Sequence, residues 1–179
     1  NCTISGNTAR AAQAGVGSDV PLSVFNSTIV FNESKYDLSI GGSDGVYSRA
    51  DLVLQSSIVA GNGGVNGPND LGGSPQISVS GHDNLVTSTA FVLPPAPVGP
   101  IVSTECPKLD VMKHSDMTGQ NSYAPLADSP AIDLGNDQAS LSLDQRFQPR
   151  LFGNGVDIGA VERNANDVDE RIFTAHFDR

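Results

Sequence analysis

The chain has 179 residues, with twenty Asp and Glu against ten Lys and Arg, for a formal net charge of −10. That balance argues against nucleic acid, whose phosphates demand a Lys/Arg footprint, and against insertion into or attachment to an anionic membrane; it leaves calcium binding open. No run of 18 apolar residues marks a transmembrane helix, and 19 Gly with 11 Pro, spread along the chain, suit many short strands joined by turns.

A short phrase recurs from the first residue. Residues 1–4 read Asn-Cys-Thr-Ile, residues 26–29 Asn-Ser-Thr-Ile and residues 55–58 Gln-Ser-Ser-Ile, and Asn7, Asn32 and Asn62 follow shortly after. The isoleucines Ile4, Ile29 and Ile58 lie 25 and 29 residues apart, a period that marks a stacked, solenoid-like repeat. Strand side chains alternate faces, so Phe25, Ser27, Ile29 and Phe31 are predicted to share one face. Leu54, Ser56, Ile58 and Ala60 match them, as do Cys2, Ile4 and Gly6. Isoleucine is then expected on isoleucine, with Cys2 buried and unpaired in the slot of Ser27 and Ser56. Two cysteines, Cys2 and Cys106, make no disulfide framework. A weaker fourth unit stands at residues 81–85, where Leu85 follows Ile58 by 27 residues. The asparagines serve either as a stacked ladder of amides or as simple turn residues tolerant of a left-handed conformation. Residues 40–45, 61–64 and 66–70 read as loops. Asn1, Asn26 and Asn32 match the glycosylation pattern, a match expected by chance in so Asn/Ser/Thr-rich a repeat.

Four prolines between Leu93 and Pro100 cannot sit in a sheet interior, so residues 93–100 are a linker or an inserted loop. Residues 1–92 form the coils, and residues 101–179 the last coil or coils and a cap. That final part carries Asp128-Ser-Pro-Ala-Ile-Asp-Leu-Gly135, Asp144-Gln-Arg146 with Pro149-Arg150, and Asp157-Ile-Gly-Ala-Val-Glu162. These phrases resemble the closing signature of bacterial choice-of-anchor Q domain proteins and are similar to the polymorphic outer-membrane protein class. Phe147 departs from the glycine usual after Gln-Arg, so a tight turn there is expected to be remodelled. The resemblance implies an all-β fold, a right-handed parallel β-helix with a loop-rich C-terminal cap. It also implies a secreted or cell-surface bacterial protein with a structural, adhesive or carbohydrate-binding role, facing a polysaccharide or host-surface ligand. The alternative is the non-catalytic end of a carbohydrate-active β-helix enzyme, a polysaccharide lyase or glycoside hydrolase.

Read from the residues alone, Ala131, Leu134, Ile158 and Val161 would lie across an open end of the stack, which otherwise exposes strand edges. At least one Arg–carboxylate pair is expected among Asp133, Asp144, Asp157, Glu162, Arg146 and Arg150. Residues 170–178 read as one more strand or a sorting element. The chain begins at Asn1 in mid-repeat without Met, which reads as the C-terminal piece of a longer polypeptide; its open first coil predicts either dimerisation through that end or origin by proteolysis of a longer chain.

The sequence nominates no catalytic, cofactor or metal residue. His82, His114 and His176 share no ligand spacing, and no zinc, P-loop, dinucleotide or nucleophile-elbow motif is present. Asp37, Asp44, Arg49 and Asp51 form the one charged cluster near the coils, with Asp51 expected to face outward beside a strand, and are the best catalytic guess. Asp133 to Asp137 is oxygen-rich enough for Ca²⁺ but lacks an EF-hand loop, so a capped turn is the stronger reading.

Overall fold

The computed structural model describes residues 1–10, 13–35, 42–65, 67–89, the backbone of 101–103, and 106–169. The described residues are all-β, without α-helix, and none forms a helix long and apolar enough to cross a membrane. The first pass of the chain lays down β1 (Thr3–Ser5), β2 (Thr8–Ala9), β3 (Val16–Ser18) and β4 (Leu22–Phe25). The second lays β5 (Thr28–Val30), β6 (Glu33–Ser34), β7 (Val46–Ser48) and β8 (Leu52–Gln55) beside them. The third adds β9 (Ile58–Ala60), β10 (Gly63–Gly64), the short return strand β11 (Gly67–Pro68), β12 (Leu71–Gly73) and β13 (Val79–Ser80). The fourth begins with β14 (Asn84–Val86), and β15 (Ile101–Ser103) follows it.

Four sheets result, all visited by each of the first three passes. Sheet A runs β1-β5-β9-β14-β15, sheet B β11-β10-β6-β2, sheet C β12-β7-β3 and sheet D β13-β8-β4. All their pairings are parallel except β10 with β11. The prolines of 93–100 fall outside the described residues, and β15 beyond them pairs with β14. A hairpin of β16 (Lys113–Ser115) and β17 (Gln120–Ser122) stands apart from the four sheets.

The core is a set of columns. Ile4, Ile29, Val59 and Val86 stack down sheet A; Val16, Val46 and Leu71 down sheet C; Leu22, Leu52 and Val79 down sheet D. All join one apolar cluster, which no pass could bury without its neighbour. The expected column of isoleucines holds for Ile4 on Ile29 and for Leu85 on Ile58, but Ile29 lies beside Val59 and Thr28 beside Ile58. This one-residue slip turns Ile58 to the opposite face of the sheet from Ile29. Phe25 likewise pairs with Gln55, and Val24 with Leu54.

The slip arises at the corners. Gly6, Phe31 and Gly61 are left-handed at φ 64°, 58° and 63°, and so are Asn26, Ser56 and Asp83 at 44°, 49° and 54°. A left-handed residue ends strand alternation, so no face runs from Phe25 through Phe31.

The residue after the first corner carries the ladder. Asn7 donates from N and Nδ2 to Asn32 Oδ1 at 3.1 and 2.9 Å. Asn32 donates likewise to Asn62 Oδ1 at 3.1 and 2.8 Å, and Asn62 to Asp70 Oδ1 at 2.7 and 2.8 Å. Of the two roles considered for these asparagines the ladder is the one adopted, and the left-handed residue is the one before each Asn. A second ladder runs from Cys2 N to Ser27 Oγ, Ser27 N to Ser57 Oγ and Ser57 N to Asn84 Oδ1, at 3.3, 3.1 and 3.0 Å. Cys2 thus shares its slot with Ser27 and Ser57 rather than Ser56, and at the end of the stack it is exposed, not buried. Asn26 and Asn32 are fully buried, which leaves a glycan no room on either.

Candidate functional site

Sheet A has a second apolar face. Val30, Ile58, Ala60 and Leu85 point away from the core and are covered by Ala131 and Ile158, with Phe31, Leu109 and Tyr123 at the margin. The C-terminal part is therefore a clamp along the flank of the stack, not a lid across its end as the sequence suggested. Leu134, expected beneath the cap, is exposed, and Val161 packs with Ala124 and Ala160 instead.

The clamp is bonded to every pass. Asn1 Nδ2 donates to Leu143 O and Thr3 Oγ1 to Gln145 Oε1, at 3.2 and 2.6 Å. Ala160 N donates to Thr28 Oγ1 at 3.0 Å, and Gly159 N to Ser56 O at 2.9 Å. Asn136 takes up Ser56 Oγ through its N–H and Asp83 Oδ2 through its amide, at 3.0 and 2.6 Å. Gly159 must be glycine here: its φ is +108°, and a Cβ would stand 2.8 Å from Thr28 Oγ1 and 2.9 Å from Ile58 Cδ1.

The closing motif folds round two buried charges. Glu162 accepts Phe152 N on one oxygen and Asp157 N on the other, both at 2.9 Å. Burial pushes its carboxyl up to about 7, against those two bonds and with the Asp157 carboxylate adding to the rise. Arg150 Nη2 donates to the carbonyls of Asp157 and Gly159 at 3.0 and 2.6 Å. Burial draws the Arg150 guanidinium down from its usual value, while Glu162, Asp144 and Asp157 oppose the shift. Asp157 is raised, again by burial, against hydrogen bonds from the N–H groups of Arg163 and Asp133. The expected Arg–carboxylate pair is present: Arg146 holds Asp167 through two bonds of 2.6 and 3.1 Å and Asp144 through one of 3.1 Å. Phe147 is left-handed at φ +62°, a geometry glycine adopts without strain, and it is exposed. Asp133 Oδ1 accepts the N–H groups of Asn154 and Gly155, and Asp137 Oδ1 that of Leu141, as capped turns do.

The catalytic guess does not assemble into a pair of working carboxylates. Asp37 lies outside the described residues. Asp44 is buried and accepts Ser34 Oγ at 2.9 Å, whereas Asp51 is exposed, as expected, and accepts Ser78 N at 3.1 Å. Arg49, exposed, pairs with Asp19 at 3.2 Å. Among the described histidines His82 bonds Asp83 at 2.7 Å on a half-exposed corner; His176 lies outside them. No group of three metal-ligating side chains converges among the described residues.

What the sequence did not single out is an open cleft of about 360 Å³ between the hairpin and the clamp. Lys113, His114, Ser115 and Met117 form one wall, and Arg146, Gln148, Asn164, Asn166 and Asp167 the other. The cations are internally occupied, Lys113 by Asp110 at 2.8 Å and Arg146 by its carboxylates. His114, exposed, bonds Asn121 through Nδ1 at 2.9 Å. The side-chain amides of Gln148 and Asn166 have no partner among the described residues. Amides, an imidazole and the exposed Met117 thioether suit a neutral, hydroxyl-bearing ligand with an apolar face. No protein-family model, curated protein or solved structure matches this chain.

Proposed function

We propose that this chain is the C-terminal portion of a right-handed parallel β-helix of the choice-of-anchor Q type, in a secreted or cell-surface protein, serving as a structural or adhesive module that binds carbohydrate. The observation that supports the reading is the four-sheet circuit repeated in register and closed on its flank by the very motifs that carry the resemblance. The cleft beside the clamp is the binding surface in this reading, because its free groups are neutral hydrogen-bonding ones and its charges are already paired. A glycan array and polysaccharide co-sedimentation with the full chain test it. Retention of a polysaccharide, lost in the Gln148→Ala, Asn166→Ala double variant with an unchanged circular dichroism spectrum, is the expected result. Failure to retain any neutral or acidic polysaccharide would overturn the binding role and leave the structural one.

A further inference from the structure

Two buried side-chain oxygens at one corner of the stack have no donor. Ser43, Asp44 and Gly45 lead into β7 in the second pass, and Asn69 and Asp70 lead into β12 in the third. The two turns are fastened together. Asp44 N and Gly45 N donate to Asn69 O at 3.0 and 3.3 Å, Ser43 Oγ donates to the same carbonyl at 2.9 Å, and Asn69 Nδ2 donates to Gly42 O. That last bond fixes the sense of the amide, so Asn69 Oδ1 is its free end. Asp44 is only 5% exposed. Its Oδ2 accepts Ser34 Oγ at 2.9 Å, while its Oδ1 and Asn69 Oδ1 are sealed from solvent without a hydrogen-bond partner. No basic side chain of the described residues pairs with Asp44. Gly64 gives the carboxylate room: a Cβ there would stand 2.4 Å from Ser34 O, 2.5 Å from Ser34 Oγ and 3.2 Å from Asp44 Oδ2. A buried carboxylate with an unanswered oxygen and no counter-charge is costly. Asp70 shows how the chain satisfies such a group by itself, with donors from Asn62, Thr87 and Ser88 shared over both oxygens. Asp44 has no such set.

We infer that Asp44 and Asn69 form a calcium-binding site, in which Asp44 Oδ1 and Asn69 Oδ1 are the protein ligands, Ser34 Oγ holds the carboxylate in place and water completes the shell. Carboxylate and amide oxygens are the hard donors this ion takes, and calcium accepts an irregular shell where magnesium demands an octahedron. The site has one acidic ligand and neutral oxygens, so no trio of His, Cys, Asp or Glu marks it. With a single charged ligand it belongs to the weak class, with a Kd of about 10⁻⁴–10⁻³ M. Bound calcium pins the second pass to the third where both enter sheet C. The inference is independent of what fills the cleft.

Calorimetric titration of calcium into the chelator-treated full chain tests it. Saturable binding of a single ion is expected, weakened roughly tenfold or more by Asp44→Asn. Melting gives a second reading. At about 10 mM calcium the unaltered chain should gain roughly 3–10 °C. Asp44→Asn should gain nothing from calcium, yet in chelator it should melt no lower than the unaltered chain, because a buried charge has been removed. Asp133→Asn, which alters the capped turn of residues 133–137, should bind calcium as the unaltered chain does. Hydrogen exchange should place the calcium-dependent protection at the amides of Asp44, Gly45 and Asn69. Absence of both heat and a melting shift, undiminished binding by Asp44→Asn, a lower melting point of Asp44→Asn in chelator, or binding lost in Asp133→Asn would each overturn the proposal.

Discussion

The stacked passes and the clamp both bury polar groups, but of different kinds. Inside the stack they are mostly neutral: Asn26, Ser27, Thr28, Asn32, Gln55, Ser57, Asn62 and Asn84 are all buried; Ser27, Asn32, Ser57, Asn62 and Asn84 bond the adjacent pass, and Asp70 closes the ladder. In the clamp the buried groups are ionisable: Asp144, Arg150, Asp157 and Glu162 are all buried with almost no solvent. A neutral ladder incurs no ionic desolvation and extends by repetition. A cluster of buried charges is costly to desolvate and depends on every member. The stack should therefore tolerate loss at its end and hold across pH, while the clamp should fail through single residues and respond to protons.

Arg150→Ala is expected to have the largest effect. It strands the carbonyls of Asp157 and Gly159 and removes the buried cation that opposes the charges of Glu162 and Asp157, at a cost of about 3–5 kcal/mol. Urea unfolding gives the magnitude. Hydrogen exchange gives the location: the amides of Gly159 and Ala160 should lose protection while those of Asn32 and Asn62 keep it. Equal loss in both regions would break the distinction drawn between them.

Within the stack, Asn62→Ala should cost about 2–3 kcal/mol, because it removes the acceptor of both Asn32 donors and the amide that serves Ile29 O and Asp70 Oδ1, leaving the latter only the backbone N–H of residue 62. Asn7→Ala, at the exposed end of the same ladder, should cost under about 0.5 kcal/mol. Denaturation midpoints of the pair measure how far a ladder's worth depends on depth rather than on residue type.

The pH response belongs to Glu162. Its carboxyl titrates at about 7 in the fold against 4.5 in the unfolded chain, so the folded state holds the extra proton between those values. The stabilisation is complete below about pH 4.5 and is lost as pH rises to about 7, so the clamp is tightest in acid. Asp167 has the opposite sign: burial raises it, but Arg146 more than offsets this, so its contribution falls away only below the usual carboxylate range. Glu162→Gln should remove most of the slope between about pH 5 and pH 7, a difference of at most about 3 kcal/mol. Denaturation of both proteins at the two pH values reads this directly; an unchanged slope would place the titration elsewhere.

Much of the stack was legible in the repeated phrase: the period, Ile4 on Ile29, Leu85 on Ile58 and the ladder of asparagines. The register was misread because isoleucines were matched, 29 residues apart, where the asparagines stand 30 apart. Asn32 and Asn62 each make several directional bonds across the passes, whereas exchanging Ile for Val in a column costs little, so the amides decide the alignment. The flank position of the clamp also had a signal. Thr28-Ile29-Val30 and Ile58-Val59-Ala60 are apolar on both faces, as strands covered on both sides are. The buried pairing of Arg150 with carbonyls, and the cleft, had no such signal, since both depend on how loops far apart in sequence meet.

The smallest effect sharpens the comparison from the other direction. Phe147 stands left-handed at φ +62° and is 56% exposed, in a turn closed by Phe147 N to Asp144 O at 3.1 Å. An L-residue is strained there by about 1–2 kcal/mol, and glycine is not, although glycine loses more freedom on folding. Phe147→Gly should therefore stabilise the clamp by roughly 0.5–1 kcal/mol, seen as a higher urea midpoint with unchanged slope. Phe31 offers the internal control. It is left-handed at φ +58° in a corner of the stack, but its ring packs edge-on against Tyr123 at 5.5 Å. Phe31→Gly relieves the same backbone strain and forfeits that packing, so it should destabilise. If both substitutions stabilise, strain and not packing governs the corners of the stack as well as the turns of the clamp.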